Sequence, residues 1–224
     1  MTKKLVIAID GPSGSGKSSV SKAVARHYGL EYLDTGAMYR ALTWYCLDQQ
    51  IDLKDGEALE AAARAFPYLQ GTDPEQEVIE VGGVDVSQAI REPRISEAVS
   101  ALASHLPIRQ ILIDLQRDFI ARSKTGMVAE GRDITTVVAP DADARVLLTA
   151  SEEVRLARRG LQLGGSQNSE QLAAQVSGRD AQDSKVTSFT EAAEGVTLVD
   201  SSDLNFEETI AAVIEAVEAQ LAQG

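Results

Sequence analysis

The chain has 224 residues, 44% apolar and 25% charged, enough for one sizeable core with or without an insertion and unlike a disordered or collagen-like chain. With 21 basic against 34 acidic residues the net charge is −13, which argues against gripping DNA or RNA by broad phosphate neutralisation but leaves a compact anion open as ligand. The single cysteine, Cys46, excludes an intrachain disulfide, and no stretch approaches the roughly 20 apolar residues of a membrane span. The first apolar run is too short for a signal peptide, so a cytoplasmic chain with no membrane or nucleic-acid partner is expected.

Leu5 to Ile9 reads as a buried strand ended by Asp10-Gly11-Pro12, and Ser19 to Tyr28 as the helix that follows. Glu31 to Leu33 predicts a second strand, after which Met38, Leu42, Tyr45 and Cys46 recur at helical spacing on a helix expected to pack, with Trp44, on the sheet. Further helices fit Glu57 to Ala65, Arg94 to Ala103 and Ile108 to Ser123. Met127 to Ala129, Arg145 to Thr149 and Val196 to Val199 read as strands, with helices over Ser151 to Leu163 and Phe206 to Leu221. This alternation predicts an α/β fold with a parallel sheet covered on both faces. Only Glu77 to Val86 breaks it, as a hairpin about Gly82-Gly83 inside an apparent insertion from Pro67 to Pro93. No repeat or linker divides residues 1–224 into independent folds.

Gly11-Pro12-Ser13-Gly14-Ser15-Gly16-Lys17-Ser18 satisfies GxxxxGK[ST] between a buried strand and a helix, the setting in which backbone N–H groups and a helix N-terminus cradle phosphates. Lys17 is placed to neutralise β and γ oxygens and the Ser18 hydroxyl to ligate Mg²⁺. The motif alone says only that a nucleoside triphosphate binds. A guanine reader of the Asn/Thr-Lys-x-Asp type is absent, and Leu163-Gly164-Gly165-Ser166-Gln167 lacks the apolar strand ending in Asp-Glu that a transporter ATPase requires.

Several arginines sit where a cation is costly. Arg40 lies near the first turn of a helix capped by Asp34 or Thr35, against the macrodipole. Arg155, Arg158 and Arg159 crowd one helix face, beside Glu152 and Glu153 and before a glycine-bearing break at Gly164 to Ser169 that could hinge a lid. Arg179 precedes Asp183 in the less favourable order for a helical pair, and Gly131-Arg132-Asp133 follows a strand at the carboxyl edge of the sheet, where open α/β folds bind ligands. The two histidines, His27 and His105, form no nucleophile or metal arrangement, which suits an acceptor that is already ionised, such as a phosphate. Another small-molecule kinase, or a nucleotide-binding switch without phosphotransfer, remains the alternative at this point.

With GPSGSGKSS, LDTGAMYR, IRxxLxxxQR (Ile108 to Arg117), EGRDITTVV and RDxxDS (Arg179 to Ser184) in this order, the chain resembles the bacterial cytidylate kinases of the nucleoside monophosphate kinase group, from about Leu5 to Leu204. The resemblance implies a three-layer P-loop kinase fold: a central five-stranded parallel sheet, a small β-containing monophosphate-binding insertion at about 66–95 and a helical lid at about 155–180. It implies a monomer that uses ATP and Mg²⁺ to phosphorylate CMP and dCMP. The phosphate cradle extends over Gly11 to Ser19, with Ser19 included, and Lys17, Arg132, Arg155, Arg158 and Arg159 carry the charge of the transferring group. Thr35, Ser100, Arg109 and Asp133 are implied around cytosine, Arg40 and Arg132 on the CMP phosphate, and Arg179 and Asp183 on the ribose. Three positions depart from the family pattern. Glu130 replaces the usual Asp, Thr35 the usual Ser, and Val186 stands where an arginine is expected, with Lys185 the nearest cation and no planar fork to offer.

Overall fold

The computed structural model describes residues 4–162, 178–184, 187 and 189–223. The break at 164–169 and the pair Lys185 and Val186 lie outside the described residues. Five strands form one parallel sheet: β1 (Val6–Asp10), β2 (Glu31–Asp34), β6 (Met127–Gly131), β7 (Ala144–Thr149) and β8 (Thr197–Asp200), in the order β2-β6-β1-β7-β8. All four pairings are parallel, and their register aligns Asp34 with Glu130, Gly131 with Asp10 and Thr149 with Asp200 along one edge.

The strands are buried on both faces, which explains their near-continuous apolar runs. Ile7 and Ile9 face α1 (Lys17–Tyr28) and α8 (Phe206–Leu221), joining Val20, Val24, Val146, Leu148, Val213 and Val217. Between them Ala8 faces the opposite layer, with Met38 of α2 (Thr35–Asp48) and Ile113 of α5 (Leu106–Arg122). Each such fully buried aliphatic side chain contributes about 1.5–3 kcal/mol. Asn205 caps α8 in a capping box with Glu208: its side chain accepts from the Glu208 N–H at 2.9 Å, and its own N–H donates to Oε2 at 2.8 Å.

The expected hairpin is present as β4 (Ile79–Val81) and β5 (Val84–Asp85) about Gly82-Gly83. A third strand, β3 (Tyr68–Gln70), completes this antiparallel sheet and was not expected, being three residues long and patternless. Ile79, Val81, Val86 and Ile90 pack on Ala37 and Ala41 of α2, with Trp44 and Tyr45 at the margin. Trp44 and Tyr45 thus meet the insertion, and Cys46 meets Leu59 of α3 (Gly56–Arg64) and Leu112 of α5. The helix that carries these three does pack on the main sheet, as expected, and Met38 is the side chain that meets Ala8, Leu33 and Ala129 there. The remaining helices are α4 (Pro93–Ala103), α6 (Glu152–Gln162) and the short α7 (Arg179–Asp183).

Gly126 turns the chain from α5 into β6 at φ +104°, where a Cβ would stand 2.4 Å from the Leu5 carbonyl oxygen and 2.9 Å from Leu30 Cδ2. The first neighbour is backbone, so relief requires moving β1. Gly126→Ala should lose about 2–4 kcal/mol through left-handed strain and overpacking; thermal unfolding that matches wild type would contradict this.

Candidate functional site

The phosphate cradle connects β1 to α1. Gly16 caps α1 at φ 87° with no side-chain hydrogen bond, so the helix presents uncapped N–H groups. At Gly14 (φ +78°) a Cβ would meet the Arg155 carbonyl oxygen at 2.6 Å, so only glycine lets α6 lie this close. The Lys17 ammonium bends back to the Pro12 carbonyl at 3.4 Å, and the Ser15 hydroxyl is buried without a hydrogen bond. Ser18 and Ser19 are exposed at the helix start, and Gly11 is packed beneath them against the Leu148 carbonyl.

An open cleft runs from this loop toward α4. Lys17, Ser18, Thr35, Arg40, Arg109, Arg132, Asp133 and Asp183 line it, together with Tyr39 and Val99, which the sequence did not single out. Asp34 caps α2 by accepting from the Ala37 N–H at 2.9 Å, and its other oxygen pairs with Arg40 at 2.9 Å. The anion that compensates Arg40 is therefore the cap itself. Burial pushes the Asp34 carboxyl up, but Arg40, the Ala37 N–H and Arg91 outweigh it and hold the group below its usual range. Across the cleft Arg109 pairs with Asp133, which burial raises despite that arginine. The Thr35 hydroxyl donates to the Glu130 carbonyl at 2.8 Å, and the Ser100 hydroxyl to Asp183 at 3.3 Å.

The arginines converge beside the loop. Arg132 donates to the Ser13 hydroxyl and to Asp180, both at 2.7 Å, and its Nε lies 2.9 Å from Asp183, while its plane rests 4.6 Å from the centre of the buried Phe189 ring. Arg155 donates to the Ser13 carbonyl at 2.9 Å and pairs with Asp180, rather than with Glu152 or Glu153 on its own helix. Burial lowers the Arg159 guanidinium, and the positive charges of Arg40 and Arg91 lower it further. Arg158 differs. Its fork is given to oxygens of Ser15, Ser201 and Leu204 at 2.9–3.3 Å, tying the loop to the turn after β8. The backbone of Arg179 opens α7 beside Asp180.

Two buried carboxylates stand at the strand ends. Glu130 accepts from the Tyr32 hydroxyl at 2.5 Å, yet its Oε2 has no well-formed hydrogen bond. Burial and then Asp34 raise it, against Lys17 and the Ser18 hydroxyl. Asp10 accepts from the Ile134 and Thr135 N–H groups and the Thr135 hydroxyl at 2.6–2.9 Å. It thereby holds the chain just past Arg132 and Asp133, where a wide helical turn (Ile134–Val138) begins. Arg117 of the IRxxLxxxQR stretch donates to the Val137 and Val138 carbonyls at 2.8 and 3.1 Å, so part of that motif supports the same turn. Asp10, Asp180, Glu130 as a buried group and Phe189 were not assigned to the site from sequence in these roles; the only trace of Asp180 was its place in RDxxDS.

A family model described as cytidylate kinase matches residues 7–219. A cytidylate kinase of Streptomyces avermitilis is 43% identical over 96% of this chain and 93% of that protein, and one of Cutibacterium acnes is 44% identical over 96% and 97%. Among solved structures, TT1252 from Thermus thermophilus covers 98% of this chain and 99% of its own, with a TM-score of 0.50 at 18% identity, a likeness of fold.

Burial raises Asp10 from 3.8 to about 6, with its three hydrogen bonds opposing. The fold therefore favours its protonated form, a contribution present below 3.8 and lost as pH rises through about 6. Relative to Asp10→Asn, which does not titrate, wild-type stability should fall between about pH 4 and pH 7. A flat difference in melting temperature across that window would contradict the assignment.

Proposed function

The chain belongs to the cytidylate kinase family, and we propose that its cleft aligns ATP with CMP or dCMP and transfers the γ-phosphoryl group, giving ADP and CDP or dCDP. One observation carries this reading: Arg132 bridges the hydroxyl of the phosphate loop and the cleft that Asp133 and Arg109 line, so one guanidinium reaches both halves of a two-nucleotide site.

In the transfer, a lone pair on a CMP phosphate oxygen forms the new bond to the γ-phosphorus while the bond to the β–γ bridging oxygen breaks and ADP leaves. The attacking oxygen is already ionised near neutral pH, so no base is required. Lys17, Arg132, Arg155 and Arg159 spread the charge of the transferring group, and Arg40 with Arg132 grips the monophosphate. Arg158 shares in spreading that charge and also secures the loop, through its hydrogen bonds to oxygens of Ser15, Ser201 and Leu204. Asp183, with Ser100 beside it, and Arg179 are assigned to the ribose.

Cytosine preference follows from donor accounting. The Thr35 hydroxyl gives its proton to the Glu130 carbonyl, so what it offers the cleft is an acceptor, like the Asp133 carboxylate. Two acceptors suit an exocyclic amino group, and Arg109 supplies donors for the ring acceptors. Uracil would turn O4 toward them and leave buried lone pairs facing one another.

The residues present also fit Mg²⁺. Among the described residues no His, Cys, Asp and Glu cluster forms a protein cage, but the exposed Ser18 hydroxyl and the unpartnered Glu130 Oε2 suit an ion held mostly by phosphate oxygens and water. When bound, the ion would neutralise β and γ oxygens. The same reading makes the chain a cytoplasmic monomer of one domain, 1–224, with the stretch at about 66–95 as the monophosphate-binding insertion and 155–180 as the lid. Supporting the insertion, β3 to β5 pack on the helix that carries Arg40.

Arg132→Ala should keep the fold and lose kcat/KM by on the order of 100-fold or more; near-normal turnover would contradict its role. In a coupled ADP-release assay CMP and dCMP should stimulate and UMP and shikimate should not. A response to shikimate and none to CMP would overturn the reading. Asp133→Asn, which brings a donor to the base, should lower the CMP-to-UMP ratio of kcat/KM by at least about tenfold.

A further inference from the structure

Asp180 is held as a phosphate oxygen would be. Its carboxylate accepts from the Ser13 backbone N–H of the phosphate loop at 3.1 Å and from Arg132 at 2.7 Å, and it pairs with Arg155. A loop amide and two guanidiniums are the donor set that phosphate recognition uses. Only 13% of the side chain is exposed, so this is no solvated surface pair. The neighbouring carboxylate is placed differently: Asp183 takes Arg132 Nε and the Ser100 hydroxyl, away from the loop. Arg155 Nε is buried without a partner, so Asp180 leaves the donor set unfilled and a larger oxyanion would complete it.

We propose that Asp180 is an internal anion that competes with the triphosphate of ATP for the subsite formed by Ser13, Arg132 and Arg155. The proposal rests on the reading of the loop as an ATP site. A carboxylate and a phosphate oxygen cannot share these donors, because both are negative and the space is desolvated, so one must leave when the other arrives. Burial pushes the Asp180 carboxyl up, but Arg132, the Ser13 N–H and Arg155 outweigh it, so the competitor is ionised at neutral pH. A site whose competent state is only partly populated binds more weakly by that fraction, and removing the competitor restores the intrinsic affinity.

The test is calorimetric titration of the full chain with ATP, and separately with inorganic tripolyphosphate, in the absence of CMP. Asp180→Asn should tighten both by about three- to tenfold, corresponding to a subsite open between a third and a tenth of the time. Asp180→Glu, which keeps the charge, should bind both ligands close to wild type. Asp180→Ala carries the same expectation as the amide should that variant be unstable. Affinities unchanged or weakened in the neutral variants would overturn the proposal, the weakened case showing that Asp180 positions the arginines rather than competing for them. If wild type and all variants bind neither ATP nor tripolyphosphate, the ATP reading itself falls and takes this proposal with it.

Discussion

Guanidinium–carboxylate pairs withdrawn from water at the carboxyl edge of the parallel sheet set the terms for everything else in this molecule. Arg40 has Asp34, Arg109 has Asp133, Arg132 and Arg155 share Asp180, and Arg132 also has Asp183. Removing one member of such a pair strands a buried charge at about 3–5 kcal/mol, whereas the intact set is close to neutral and the fold can carry it. A chain of net charge −13 can gather cations for an anionic ligand in this way, because its surplus of carboxylates keeps the guanidiniums company until the ligand comes. Binding is then an exchange of anions at a standing array rather than the assembly of one.

The array is in place because the strands stop together. Parallel register brings Asp34, Glu130, Gly131 and Asp10 to one edge, and three segments leave that edge in different directions. The loop from β1 supplies the phosphate cradle, α2 begins with no intervening loop at Thr35, and the turn after β6 delivers Arg132 and Asp133. Asp10 ties the first of these to the third through the Ile134 and Thr135 amides. The helix that carries Arg40 also carries Ala37 and Ala41, whose small side chains let the antiparallel sheet of the insertion settle against it. Arg40 and this antiparallel sheet therefore share one rigid element.

Much of this is legible along the chain. The phosphate loop is a local motif whose glycines, lysine and flanking strand and helix are adjacent in sequence, and the hairpin about Gly82-Gly83 carries its own turn chemistry. Arg40 stands out because it lies near a helix N-terminus, where a lone cation is unfavourable, and Arg132 because it follows a strand at the carboxyl edge of the sheet. β3 is not legible: Tyr68-Leu69-Gln70 follows Pro67, has no periodicity to read, and becomes a strand only by pairing with Ile79–Val81. Arg158 looks like its neighbours Arg155 and Arg159 on a helical wheel, yet faces Ser201 and Leu204, which lie more than 40 positions away.

The sequence by itself determined the alternation of strand and helix, the phosphate loop and the family, because each rests on patterns within a few dozen residues or on motif order. Tertiary structure alone decided which anion each arginine meets. Asp180 reaches Ser13 across 167 positions and Asp10 reaches Thr135 across 125, and no local spacing encodes a charge pair made when distant segments end at the same edge of a sheet.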